Sequence, residues 1–347
     1  MQVNVAIVGL DRLSTSFGLA LKQYQKQPKA EHTFTILGSD LKAQAMKDAQ
    51  KVGALDNFNR ALLKATDNAD LIIVNVPFSA LEDTYSRLGP ELKPGAVVLD
   101  LSLLKQPTIR LANKYFKRNA KDEPLAYLVG ITPVVNVSGL YTASVEPEDA
   151  SPDLFKGSDV LMMPDPKCPS EAIDLAEDII RIIGGQPRFM DAAEHDGLIS
   201  ASEELPMLAG SALFYTLTHS EGWMELRRMI NPTLALMFQS LRYQTPQDLL
   251  SLYSQNRANM ARNIEALMDT LSQVQQALES EDDEALETFI SQVQKAWDKW
   301  DVKRHSGQWD EVKGVEFSTG GPLGSMTGFF SIGRLHDKSP KDEDDEE

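Results

Sequence analysis

Residues 3–16 read Val3-Asn4-Val5-Ala6-Ile7-Val8-Gly9-Leu10-Asp11-Arg12-Leu13-Ser14-Thr15-Ser16. An apolar run that ends in glycine and passes into a helical pattern over Leu13–Gln27 is a buried strand, a tight turn and a crossover helix. In the dinucleotide-binding form of that unit, glycines let the backbone approach a pyrophosphate and the helix N-terminus offers unpaired N–H groups. An acid at the end of the second strand takes the ribose hydroxyls. Gly9 keeps the first glycine position, but Asp11 stands at the second and Ser14 at the third. Asp11 brings a carboxylate to where phosphate would approach. Arg12 is placed to offset that charge, and Ser14 is small enough for close packing. Asp40, after Ile36-Leu37-Gly38-Ser39, stands where an NAD-type acid belongs. The expected cofactor is NAD rather than NADP, with Gly9, Leu10, Asp11, Arg12, Leu13 and Asp40 as contacts. The competing reading is a Rossmann-like domain that has lost its ligand.

Working outward, strand and helix signals alternate. Strands are expected at Val3–Val8, Thr33–Leu37, Leu71–Val76, Ala96–Leu101, Ala126–Val129, Asp159–Met163 and Gln186–Met190. Helices are expected near Lys42–Val52, Ala80–Arg87, Thr108–Arg118 and Ser170–Ile183. Alternation of this kind predicts a parallel sheet with helices on both faces. From Asp191 the strand signals stop. Helical patterns follow at Ala192–His219, Gly222–Ile230, Thr233–Arg242, Thr245–Glu279 and Asp282–Trp300. Thr245 is placed as an N-cap, Pro246 opens the helix, and Asp248 holds the capping-box position. The fold class is therefore an α/β Rossmann-like domain over 1–190 followed by an all-α dimerisation domain over 191–300. Residues 301–347 are expected to be a disordered acidic tail.

Composition excludes several functions. The chain has 347 residues, with 34 Lys+Arg against 51 Asp+Glu and a formal charge of -17. That charge disfavours nucleic acid and anionic lipid as partners. No apolar run is long enough to span a bilayer, and the first residues lack the basic start of a signal peptide. A cytoplasmic protein is expected. The single cysteine, Cys168, and five scattered histidines give no metal-ligand spacing.

Several segments together resemble the prephenate/arogenate dehydrogenase family across about residues 3–300. Ala69–Pro77, the turn Leu92-Lys93-Pro94-Gly95, and Asp100-Leu101-Ser102-Leu103-Leu104-Lys105 resemble the family's central strands and its Asp-x-x-Ser-x-Lys segment. Phe155-Lys156-Gly157 followed by Met163-Pro164 fits the next strand. Glu194-His195-Asp196-Gly197-Leu198, then Leu205-Pro206, then Gly222-Trp223 through Arg228, keep the family's order and spacing. The resemblance implies an NAD(P)-binding domain, with Val76 and Pro77 at the cofactor, and a helical domain that forms a homodimer. It also implies oxidation of prephenate or arogenate at the ring alcohol, in which a histidine takes the hydroxyl proton, followed by decarboxylation.

The departures fall where that chemistry belongs. The family's Gly-x-His-Pro is Gly130-Ile131-Thr132-Pro133 here, and a threonine hydroxyl cannot be a base without another base beside it. Leu103 holds the family's serine position, with Ser102 displaced by one. The family's Ser-His-Leu-Pro-His becomes Glu203-Glu204-Leu205-Pro206-Met207. For the catalytic role the candidates are Thr132 as hydroxyl positioner, with Glu204 first and His195 second as the base. A partly buried Glu beside another acid has the raised pKa that suits proton exchange near neutrality. Adjacent helical side chains diverge by about 100°, which argues against direct pairing of His195 with Asp196. Substrate-binding candidates are Arg228, Ser102, Lys105 and Arg257. Arg228 is either the family's carboxylate clamp or a surface residue, and Lys105 either meets ligand or pairs with Asp100. Two functions follow: an NAD(P)-dependent oxidoreductase of this type, or a dimeric homologue that binds a ligand without oxidising it.

Overall fold

The computed structural model describes residues 2–309 apart from residue 143, so the expected tail beyond 309 lies outside the described residues. Its strands are β1 (Gln2–Val8), β2 (Thr33–Ser39), β3 (Asn57–Phe58), β4 (Leu71–Val74), β5 (Val97–Asp100), β6 (Tyr127–Pro133), β7 (Asp159–Pro164) and β8 (Gln186–Phe189). They form one sheet in the order β3-β2-β1-β4-β5-β6-β7-β8. Pairing is parallel from β3 to β6, with Val5 opposite Leu71 and Val74 opposite Asp100. The order reverses between β1 and β4, which opens a crevice at the carboxyl ends of those strands. β7 runs antiparallel to β6, with Thr132 opposite Leu161, so the sheet is not parallel throughout as its alternation implied.

The helices of this half are α1 (Arg12–Tyr24), α2 (Ala43–Lys51), α3 (Leu62–Ala65), α4 (Leu81–Leu88), α5 (Lys105–Tyr115) and α6 (Ser170–Ile182). Both faces of the sheet are covered. Val5, Ile7, Leu71 and Ile73 pack with Phe17, Leu21, Met46 and Ile180 on one face. Ala6, Val8, Ile72 and Val74 pack with Tyr85, Leu88 and Ala112 on the other. Alternate residues of one strand therefore enter two cores, which is why the strands read as continuous apolar runs.

After β8 come α7 (Ala192–Ile199), α8 (Leu205–Thr218), α9 (Trp223–Leu226), α10 (Pro232–Met237), α11 (Pro246–Gln255), α12 (Arg257–Glu279) and α13 (Asp283–Ser306). The helix expected over 192–219 is interrupted by a π-turn at Ser200–Glu204. The one expected over 245–279 breaks at Asn256, whose φ of -124° and ψ of 26° leave the helical region. α13 runs to Ser306, past the expected start of the tail at 301. Thr245 caps α11 through the Asp248 N–H as expected. The Asp248 carboxylate, however, reaches across to the N–H and hydroxyl of Ser79, tying α11 to the segment after β4. Sheet and helices to Gly307 form one compact unit. No described helix is long and apolar enough to cross a membrane.

Candidate active site

At the β1–α1 turn, Gly9 adopts φ +85°, and a Cβ there would lie 2.0 Å from the Asn75 carbonyl oxygen. Only glycine fits a turn that tight against β4. Beyond it, the loop satisfies its own donors. Gly9 N–H donates to the Ser39 carbonyl at 2.8 Å, and Leu10 N–H to Asp40 Oδ2 at 2.7 Å. Asp11 N–H donates to Ser14 Oγ at 3.1 Å, and Ser14 N–H to Asp11 Oδ1 at 2.9 Å, so Asp11 closes a reciprocal cap on α1. Arg12 N–H is taken by the Val145 carbonyl at 2.8 Å. The Arg12 guanidinium donates to the carbonyls of Thr142 and Asp149, away from any anion at the loop. Burial pushes the Asp11 carboxyl above its ordinary pKa, against the hydrogen bonds from Ser14 and Asn75.

The frame therefore fits a dinucleotide in part. Gly9, the strand crossover and Asp40 suit one, although both Asp40 oxygens already accept N–H groups, from Leu10 and Lys42. The phosphate cradle does not fit. Its N–H groups are occupied and a carboxylate stands at its mouth. Leu13, Val76 and Pro77 lie at the same turn region without polar side chains to offer.

Across the crevice, the end of β6 presents Thr132, half-buried. Its Oγ1 lies 2.8 Å from His195 Nε2, and His195 Nδ1 lies 3.1 Å from Asp196 Oδ1. The neighbouring side chains do meet, contrary to the helical-spacing argument, because both are buried, His195 against the end of β6 and Asp196 against the start of α5. Asp196 has a second task. α5 begins after Leu104, which cannot cap, and the Asp196 carboxylate accepts the N–H groups of Lys105 at 2.7 Å and Gln106 at 2.9 Å. A carboxylate at a helix N-terminus satisfies orphan donors and the helix dipole together. Burial lowers the His195 pKa, more than Asp196 raises it, and the Lys105 charge lowers it further. The imidazole is thus neutral near pH 7. Nδ1–H donates to Asp196, leaving Nε2 to accept the Thr132 hydroxyl proton.

Glu204, the expected base, sits elsewhere. The π-turn turns it inward until it is fully buried. Its Oε2 accepts Asn256 Nδ2 at 2.7 Å, while Oε1 has no partner. Asn256 Nδ2 also donates to the Asp196 carbonyl at 2.9 Å. Thus the residue that breaks the long helix links Glu204 to the His195–Asp196 segment. Burial raises the Glu204 pKa to about 7, aided by the Asp196 charge and opposed by Asn256. The Thr132 hydroxyl therefore meets His195, with Glu204 further back, linked through Asn256 to Asp196.

The substrate candidates separate. Ser102 is buried and spends its hydroxyl on Asp100 and Thr108. Lys105 is fully buried and donates to the carbonyls of Asp100, Ser102 and Ile131. Arg228 and Arg257 are exposed. Leu103 and Met207, at two polar positions of the resembled pattern, join an apolar cluster with Leu104, Ile199 and Leu252. Asn256 stands out in sequence only as the partner of Arg257 in a pair that fits the resembled pattern, with no role attached, and Tyr253 goes unnoticed; the Tyr253 hydroxyl is buried without a partner, and Glu204 contributes to raising its pKa. Sequence reading also missed Arg304, which reaches from the end of α13 to the Val135 carbonyl at 2.5 Å, three residues beyond Thr132. Cys168 is inert, its thiol pushed up to about 12 by burial.

Residues 18–187 match the sequence family described as prephenate dehydrogenase, nucleotide-binding domain. That match starts inside α1, beyond the loop that Asp11 closes. A cyclohexadienyl dehydrogenase of Zymomonas mobilis is 25% identical over 204 residues, 58% of this chain and 63% of that protein. A prephenate dehydrogenase of Bacillus subtilis is 22% identical over 227 residues, 64% of this chain and 55% of that protein. The chain thus matches between 55% and 63% of the length of these relatives. Among solved structures, prephenate dehydrogenase from A. aeolicus in complex with hydroxyphenyl propionate and NAD+ has a TM-score of 0.67 at 21% identity, covering 86% of this chain and 98% of that one. Synechocystis arogenate dehydrogenase has a TM-score of 0.62 at 16% identity, covering 86% and 99%. These structures share the Rossmann-like sheet followed by a long helical region.

Proposed function

We propose that this distant homologue of the prephenate and cyclohexadienyl dehydrogenases oxidises the ring alcohol of a carboxylated cyclohexadienol of the prephenate or arogenate kind. The observation that carries this reading is the chain Thr132–His195–Asp196. A substrate hydroxyl donating to Thr132 Oγ1 lets the threonine proton pass to His195 Nε2 in the same step. The imidazolium so formed is held by Asp196 through Nδ1–H. Threonine is thereby a relay, and the base absent from position 132 stands one side chain deeper. Nicotinamide dinucleotide, NAD before NADP because of Asp40, supplies the hydride acceptor when bound. Asp11 weakens that binding.

A homodimer belongs to the same reading. Met268, Leu271 and Leu278 on α12, and Ile290, Val293 and Trp297 on α13, are exposed large apolar side chains. A second copy covers such a face most simply.

A second reading has its own support. The self-closed phosphate loop and the apolar cluster at Leu103 and Met207 suit a homologue that binds a ligand but does not oxidise it. The two are separated by NAD and NADP calorimetry, then NADH formation with prephenate and with arogenate. Turnover that is lost in His195→Asn supports the oxidoreductase. Binding of either acid with no dinucleotide affinity and no turnover supports the second reading.

A further inference from the structure

We propose that Lys105 is a positioning residue for the proton relay, holding Thr132 and His195 in register through one buried side chain and its own backbone N–H. The inference rests on the reading of Thr132–His195–Asp196 as a proton path. It starts from a group that reading does not use: a fully buried ammonium with no surface role.

Lys105 is the first residue of α5, yet its Nζ reaches back along the sheet. It donates to the Asp100 carbonyl at 3.1 Å, the Ser102 carbonyl, and the Ile131 carbonyl at 2.9 Å. Ile131 precedes Thr132, so this last bond anchors the end of β6 where the relay begins. All three ammonium donors are satisfied by carbonyls, and Asp100 Oδ1 stands 4.0 Å away as the nearby countercharge. At the other end of the same residue, the Lys105 N–H is held by Asp196 Oδ1, the oxygen that also faces His195 Nδ1. One residue therefore touches the backbone beside Thr132 and the carboxylate that orients His195. A displacement of either partner is felt by the other.

The passage for this side chain is shaped by Gly130. A Cβ at that position would lie 2.9 Å from Lys105 Cδ and 3.2 Å from the Met163 carbonyl oxygen. A side chain at 130 would displace the lysine, so glycine serves there by its small size rather than by backbone freedom. The ammonium also acts through space. The charged and titratable groups facing His195 are Asp196 from α7 and Lys105 from α5, with Asp100 of β5 beneath the lysine and Glu204 of the π-turn behind Asp196. Burial shifts the Lys105 amine down to about 8, still above neutral pH, so it remains a cation there and disfavours a second positive charge on His195.

The test is the titration of His195 followed by NMR of the imidazole in the full chain, for wild type, Lys105→Met and Gly130→Ala. Lys105→Met removes the cation and the anchor. The expected result is an upward shift of the His195 midpoint and a weakened Nε2 hydrogen bond. Gly130→Ala keeps every charge and every donor but displaces the lysine. It should disturb the Nε2 signal with a smaller change in midpoint, and it carries the test if Lys105→Met does not fold. Where wild type turns over, both variants should lower kcat by about ten-fold or more with KM nearly unchanged. A His195 titration identical in wild type and in each folded variant overturns the role of Lys105 and leaves the oxidoreductase reading standing. A wild type without turnover overturns that reading, while a shifted His195 titration still supports the Lys105 link.

Discussion

Glu204→Gln isolates a buried carboxyl beside the proton relay whose ionisation the fold opposes. Glu204 is fully buried, its Oε1 lacks a partner, and its pKa stands near 7 against an ordinary value of 4.5. Because the folded value is the higher one, the folded state keeps a proton that the unfolded chain releases between pH 4.5 and about 7. Stability therefore falls as pH rises through this window and levels off above it. A difference of about 2.5 units corresponds to about 3 kcal/mol in all, of which about 2 kcal/mol is lost between pH 5.5 and 8.5. Glutamine has nearly the same shape, can keep the bond from Asn256 through its carbonyl oxygen, and does not titrate. Thermal melts of both proteins across pH 5.5–8.5 should thus diverge with rising pH, the variant gaining about 3 °C on wild type over that range. Asp11, Asp70 and Asp248 titrate equally in both proteins and cancel in the difference. Parallel profiles would refute the reasoning, since they mean that Glu204 is ionised in the fold at no cost. The variant should also retain most turnover, because Asn256 stands between Glu204 and the relay.

Asp11→Gly should tighten NAD by about 1–3 kcal/mol, roughly 5- to 150-fold by calorimetry, as a poorly compensated charge leaves the phosphate position. The accompanying loss of the α1 cap should cost only a few tenths of a kcal/mol in a urea melt, since glycine caps nearly as well as aspartate. Unchanged affinity would mean that the pyrophosphate does not lie at this loop. His195→Asn should lower kcat about 10²–10⁴-fold, with Thr132→Val close behind and the double variant little worse than either, because the two act in series. Additive losses would break the relay into independent roles. Sedimentation should show a dimer at micromolar concentration, and charged substitution of Val293 and Trp297 together should give a monomer. A wild-type monomer would leave the faces of α12 and α13 unexplained.

How far these features are legible in the sequence depends on the kind of interaction. Strands β1, β4 and β5 stand out because burial on both faces makes them unbroken apolar runs. β3 escapes notice because Asn57–Phe58 is too short for any period. The direction of β7 is equally hidden, as alternation reports which face a residue takes and not which way its strand runs. The break at Asn256 is invisible for a related reason: the apolar stripe of α11 continues into α12, so periodicity passes over a polar residue whose purpose is to reach Glu204 and Asp196. Departures from the resembled pattern at Asp11, Leu103, Thr132, Glu204 and Met207 can be counted from sequence, but their consequences cannot. That His195 backs Thr132 depends on an inward turn that helical spacing argues against. That the phosphate loop is closed depends on the Val145 backbone carbonyl, and a carbonyl carries no residue signature.

The two ends of the crevice have diverged in different ways, and one physical rule covers both. A buried polar group needs a partner, and for Asp11 and Thr132 the fold supplies one from its own chain. At the phosphate end, Asp11 and the Val145 carbonyl take the donors that an anion would need, so any dinucleotide must compete with intramolecular bonds already made. At the substrate end, the shorter threonine leaves room for His195, and the hydroxyl it presents is polarised by the imidazole it contacts. The first replacement removes binding energy and the second preserves a route for a proton. On the oxidoreductase proposal, turnover is limited at the cofactor before it is limited at the chemistry. Asp11→Gly should raise kcat/KM for the dinucleotide more than Thr132→His raises kcat, since the histidine would displace a base that is already in place.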